Sequence, residues 1–201
     1  MPDNSTTNTA ILLPSRPRII SSSEIKGVFE IDGFYPGYGV TIGNILRRIL
    51  LSSLPGAAVT QVKMEGVEHE FSTIPGVRED VITILLNIKK LRFHMYTSEP
   101  QRVEISVKGQ KNVTGADIKT SSATLEVANK DFLLATLTEK QAEFRAELVV
   151  ESGLGYMSRE VKHRDKVEIG MMTIDALFSP VMRVHYEVEH MRVGERTDYN
   201  R

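Results

Sequence analysis

Apolar and polar positions alternate along much of this 201-residue chain. Ala58, Thr60, Val62 and Met64 fall on every second position. Val103, Ile105 and Val107 alternate with Arg102, Glu104 and Ser106, and Leu125 and Val127 make a shorter run. Phe144, Ala146, Leu148 and Val150 alternate with Arg145, Glu147 and Glu151. Met182, Val184, Tyr186 and Val188 alternate with Arg183, His185, Glu187 and Glu189. Successive side chains of a strand point to opposite faces, so each run predicts a strand with one wet face, as in antiparallel sheets. Another short strand is expected over Val28, Phe29, Glu30 and Ile31, closed by Asp32-Gly33 and Pro36. Two stretches follow the helical period instead. Ile42, Ile45, Leu46, Ile49 and Leu50 share one face, with Thr41 as the expected cap and Pro55-Gly56 as the stop. Val81, Ile84, Leu85 and Ile88 share the face of a second helix, expected from about Val77 to Leu91. Few helices and many half-wet strands predict an α+β protein. The Ser/Thr/Asn-rich start, with Pro14 and Pro17, reads as a loose arm, and order is expected from about Glu24.

Composition narrows the function. Lys plus Arg is 25 and Asp plus Glu is 26, a net charge of −1. That balance argues against a bulk electrostatic DNA binder. At 41% hydrophobic and 25% charged, the chain has the make-up of a soluble globular protein. Zero Cys excludes a disulfide scaffold, a thiol nucleophile and a Cys-ligated metal or iron–sulfur centre. No apolar run reaches the roughly 20 residues of a membrane helix, and the polar start lacks a basic n-region. The expected location is the cytoplasm.

Three features could carry chemistry. Gly37, Gly39 and Gly43 lie between a strand and a helix, where glycines let backbone approach a pyrophosphate. Glu65 follows at the distance of a ribose-binding acid. This dinucleotide reading competes with a tight strand-to-helix corner. The spacing is one residue too long for the usual fingerprint, and the strands that follow read as antiparallel. Among the histidines, Glu68-His69-Glu70 has no second His at helical spacing. His185 and His190 point to opposite faces, and His94 and His163 are isolated, so solvated histidines are expected and no metal or cofactor. Glu79 and Asp80 suit the first turn of the second helix through its dipole. The third feature is the first helix, whose side opposite the apolar stripe carries Asn44, Arg47, Arg48 and Leu51. Lone exposed apolar residues are common. Arg beside a large apolar residue on a rigid helix is also the make-up of a protein-docking surface.

The stretch Gly37 to Gly56, GYGVTIGNILRRILLSSLPG, closely resembles the bacterial and plastid RNA polymerase alpha subunit. So do Glu65 to Thr73, Gly76 to Val81, Val113 to Ile118, and Ile174 to Asn200. The resemblance implies a discontinuous dimerisation subdomain, an antiparallel sheet with helices, interrupted by a larger, mainly β insert subdomain. The implied division is an arm over 1–20, dimerisation segments over 21–55 and 161–201, and an insert over 56–160. It implies a homodimer on which the beta and beta-prime subunits assemble, with the catalytic residues on those other chains. Arg47, Arg48 and Leu51 are the implied large-subunit contacts, Arg48 first. Glu79, Asp80, Gly155 and Tyr156 are secondary contacts, and Ile42, Ile45, Leu46, Ile49 and Leu50 serve core and dimer. Where the family reads R-G-R-G-Y-V-P, this chain has Ser152 to Ser158 without the two Arg and the Pro, which weakens that contact. Family members continue past this chain's last residues with a strand, a helix, a linker and a DNA-binding domain. The resemblance therefore implies a fragment or truncation that dimerises poorly and makes no sequence-specific DNA contact.

Overall fold

The computed structural model describes residues 13–120, 124–162 and 170–201. The elements begin with β1 (Arg18–Ser22), β2 (Gly27–Glu30), α1 (Tyr38–Ser52) and β3 (Pro55–Met64). Next come α2 (Val81–Ile88), β4 (Phe93–Met95), β5 (Gln101–Lys108), β6 (Asn112–Thr114) and β7 (Ile118–Lys119). They are followed by β8 (Leu125–Val127), β9 (Leu133–Thr136), β10 (Glu143–Leu154), β11 (Tyr156–Met157) and α3 (Arg159–Lys162). The last are β12 (Met172–Thr173), β13 (Ala176–Leu177), β14 (His190–Val193) and β15 (Arg196–Asn200). The α+β expectation holds. The chain forms two compact units, one of Leu50–Arg183 and one that joins the chain up to Ile49 with Val184–Arg201.

The larger unit is built on an antiparallel sheet of order β7-β5-β10-β3-β4-β8, with β12 added on β3. Val103, Ile105 and Val107 of β5 and Phe144, Ala146, Leu148 and Val150 of β10 point into its core. These are the alternating positions of the sequence. In β10 the alternation breaks at Leu148-Val149-Val150, all buried, where the register with β3 shifts between Val149 and Val150. A bulge of this kind turns consecutive side chains to one side. Helix α2 buries Val81, Ile84, Leu85 and Ile88, each worth about 1.5–3 kcal/mol when taken fully from water. It starts later than the periodicity suggests. Val77 bridges to Leu137, and the Arg78 N–H donates to the Thr136 carbonyl at 3.0 Å. Asp80 then caps the helix, accepting from the Thr83 N–H at 2.9 Å.

The smaller unit holds the β1–β2 ribbon, the β14–β15 ribbon and most of α1. Order begins earlier than Glu24. Arg18–Ser22 pairs with Gly27–Glu30, with Ile19 opposite Phe29 and Arg18 ion-paired to Glu30. Opposed apolar and charged pairs of this kind stabilise a two-stranded ladder. Helix α1 starts at Tyr38, so Thr41 lies inside it rather than capping it. The run from Met182 to Val188 is not a strand. Its alternation survives as burial, with Val184, Tyr186 and Val188 half-buried and His185 and Glu187 exposed.

Candidate functional site

The start of α1 explains the three glycines. Gly37 has φ of +84°, a conformation open to glycine and strained for other residues. The first N–H groups of a helix lack internal partners. Here the Gly37 and Gly39 N–H groups donate to Asn200 Oδ1 at 2.9 and 3.3 Å. A Cβ on Gly39 would lie 2.8 Å from both Asn200 Cβ and Val188 Cγ1, and one on Gly43 would lie 2.5 Å from the Tyr186 ring. Tyr186 and Val188 therefore follow a period of two because they pack on the helix, not because they pair in a sheet. The donors a phosphate would need are taken by a side chain, and the space beside Gly39 and Gly43 is filled. The dinucleotide reading of Gly37 to Gly43 is thereby corrected to a helix docked closely on its own unit. Glu65 pairs instead with Arg145 at 3.4 Å.

Further along α1 the apolar stripe is not core. Ile45, Leu46 and Ile49 are 46%, 41% and 47% exposed, and Gly39 is the residue of this helix that is fully buried. Ile42, Leu50 and Leu51 are half-buried. Arg47 and Arg48 are exposed beside them. The same unit exposes Ile19, Ile20 and Phe29 on its β1–β2 ribbon. Clusters of exposed large apolar residues mark interaction surfaces.

The secondary sites divide differently from the motif reading. Glu79 is turned inward: Thr136 donates to it through its N–H at 2.6 Å and its Oγ1 at 2.9 Å. Burial pushes the Glu79 carboxyl up, but these bonds outweigh it and hold the group below its ordinary value. The Thr83 hydroxyl and N–H likewise lower Asp80, the cap of α2. Gly155 is buried at φ of +61°, with its carbonyl accepting from the Phe178 N–H at 2.8 Å. Glu79, Asp80 and Gly155 thus have structural work within the unit. Tyr156 is exposed.

One feature has no local motif. A groove of about 190 Å³ beside α2 is lined by Ile82, Leu86, Lys89, Arg159 and Asp175 among others. Lys89 Nζ lies 3.1 Å from Asp175 Oδ2, and the Arg159 N–H donates to Asp175 Oδ1 at 3.0 Å. That N–H and Lys89 hold the Asp175 carboxyl below its ordinary range. Its residues come from widely separated parts of the chain, which is why no local pattern shows it. Among the described residues no three His, Asp or Glu side chains are placed to hold a metal ion, and no helix is long and apolar enough to cross a membrane. His94, His185 and His190 are exposed; His163 lies outside the described residues.

Residues 62–179, more than half of the chain, match the protein family described as the RNA polymerase Rpb3/RpoA insert domain. The chain belongs to this family. It is similar along most of its length to curated DNA-directed RNA polymerase alpha subunits. The alpha subunit of Roseiflexus sp. (strain RS-1) is 47% identical over 180 residues, 90% of this chain and 55% of the relative. That of Symbiobacterium thermophilum is 45% identical over 183 residues, 91% and 58% of the two chains. That of Bacillus velezensis is 48% identical over 182 residues, 90% and 57%. The chain thus spans a little over half the length of these relatives. An RNA polymerase subunit of this family matches the resemblance read from the Gly37–Gly56 and later motifs.

Proposed function

We propose that this chain is a non-catalytic assembly subunit of DNA-directed RNA polymerase that works in the cytoplasm. Two copies pair, and the pair is the platform for the beta and beta-prime subunits. The observation that carries this reading is the exposure of α1 on both its apolar and its Arg side. Apolar Ile45, Leu46 and Ile49 and two Arg stand on one rigid helix, and matched motifs run through that same helix. Ile45, Leu46 and Ile49 suit the second copy, because an apolar stripe left in water gains most from an apolar partner. Arg47, Arg48 and Leu51 suit the large subunits. A guanidinium fork can hold a carboxylate or two carbonyls at once, and Arg is enriched at the centres of interfaces. Tyr156 is a secondary contact. Glu79 and Asp80 serve the platform from within, by fixing α2.

The test is capture of the large subunits by the tagged chain. Wild type is expected to retain both, and Arg48→Ala to weaken retention about tenfold or more, the scale of a central interface residue. Melting of the Arg48→Ala protein is measured alongside, so that retention is compared between folded samples. Equal retention by a well-folded Arg48→Ala protein and its parent would remove the assigned contact. Capture of neither large subunit by the folded parent would remove the assembly reading itself.

A further inference from the structure

We infer that Asn200 is a positioning residue for the docking helix: it fixes the first turn of α1, and through it the Arg47–Arg48 face, while touching no partner itself. The inference rests on the assembly reading and adds to it a residue remote in sequence from the contact. Four observations carry it. Asn200 is 4% exposed, and its Oδ1 accepts from both Gly37 and Gly39. Its own backbone is clamped, with its N–H donating to the Phe34 carbonyl at 2.9 Å and its carbonyl accepting from the Phe34 N–H at 3.0 Å. No acidic residue lies in the first turn of α1 to compete for those N–H groups. Gly39 lacks the Cβ that would collide with Asn200, so the close approach is built from both sides.

The chemistry is specific. One buried amide oxygen satisfies two helix-start donors, as an N-cap does, but from a strand far along the chain. Alanine at 200 leaves both donors without that acceptor. The first turn then frays or tilts to find water, and the error is carried to the Arg face, about 15 Å along the helix axis. Aspartate keeps an acceptor of the same shape and adds a charge that the helix start favours.

Purified beta subunit is titrated with the full chain carrying no change, Asn200→Ala, Asn200→Asp or Arg48→Ala, and amide exchange is followed over residues 38–41. Asn200→Ala is expected to weaken binding about tenfold and to speed exchange in that turn. Asn200→Asp should bind within about twofold of the parent with exchange restored. Arg48→Ala should lose binding with exchange unchanged. If Asn200→Ala does not fold, Gly39→Ala disturbs the same contact from the helix side and should weaken binding similarly. Parent-like binding by folded Asn200→Ala, or by Gly39→Ala in its place, overturns the inference while loss in Arg48→Ala leaves the assembly reading standing. Parent-like binding by Arg48→Ala removes the contact on which both depend.

Discussion

Glu79→Ala separates a contact residue from an internal clamp. In the folded chain the Glu79 side chain is 11% exposed and accepts both the Thr136 N–H and the Thr136 hydroxyl. Alanine leaves a partly buried N–H without its acceptor and removes two charge-assisted bonds. Hydrogen bonds to a charged group and an orphaned donor together put the loss at about 2–4 kcal/mol. A chain of this size loses roughly 2–4 °C per kcal/mol, so the melting temperature should fall by roughly 4–16 °C. Glu79→Gln keeps an acceptor for the N–H and a donor for the hydroxyl, and should cost only about 1 kcal/mol. Thermal and urea melts followed by circular dichroism give the stability, and capture of the large subunits is measured on the same samples below their melting temperatures. The clamp predicts a large shift in melting with normal capture. A variant that melts within about 1 °C of the parent yet fails to hold a large subunit would refute the reasoning and return Glu79 to the surface role its motif suggested.

Three further outcomes concern acid stability, the core and self-association. Glu79, Asp80 and Asp175 are all held below their ordinary values of 4.5, 3.8 and 3.8 by hydrogen bonds in the folded state. Their stabilisation is therefore fully present above about pH 5 and is lost as pH falls through the carboxylate range, because the unfolded chain binds those protons first. Urea midpoints measured from pH 7 to 3 should fall below about pH 4.5, and Glu79→Gln should flatten part of that acid limb. Leu148→Ala, at 0% exposure in β10, should cost about 2–5 kcal/mol in urea unfolding. Ile49→Ser, at 47% exposure, should cost under about 1 kcal/mol yet weaken self-association measured by sedimentation.

Much of the larger unit was legible because its strands are half-wet. At Val103, Ile105 and Val107 a period of two can mean only one buried face, and the sheet uses it. The same period at Val184, Tyr186 and Val188 was misread as pairing. Periodicity reports which side chains are covered, and here the cover is a helix whose glycines accept a ring and a branched side chain. Helix α2 came out shorter because Val77 and Arg78 bond to residues near 136, a tertiary choice that helical spacing cannot show. The exposure of Arg47 and Arg48 was legible from local composition on one helix. Asn200 was not, because its role exists only across 163 residues of chain. The groove beside α2 was hidden for the same reason.

That separation also sets an order of events during synthesis. Helix α1 emerges early, but the amide that completes its first turn is made 163 residues later, roughly 10–30 s at ribosomal speeds. Closing so long a loop in an unstructured chain costs about 4–5 kcal/mol of entropy. A larger unit folded first, with Ser179 Oγ donating to the Leu50 carbonyl at 3.4 Å, bypasses most of that length. The open chain falls to roughly a fifth of that length and the cost by about 1.5 kcal/mol. A nascent chain interrupted before β15 therefore carries the two arginines on an unfinished helix. Completion of the first turn of α1 is thus a late step, favoured in chains that have already folded what lies between.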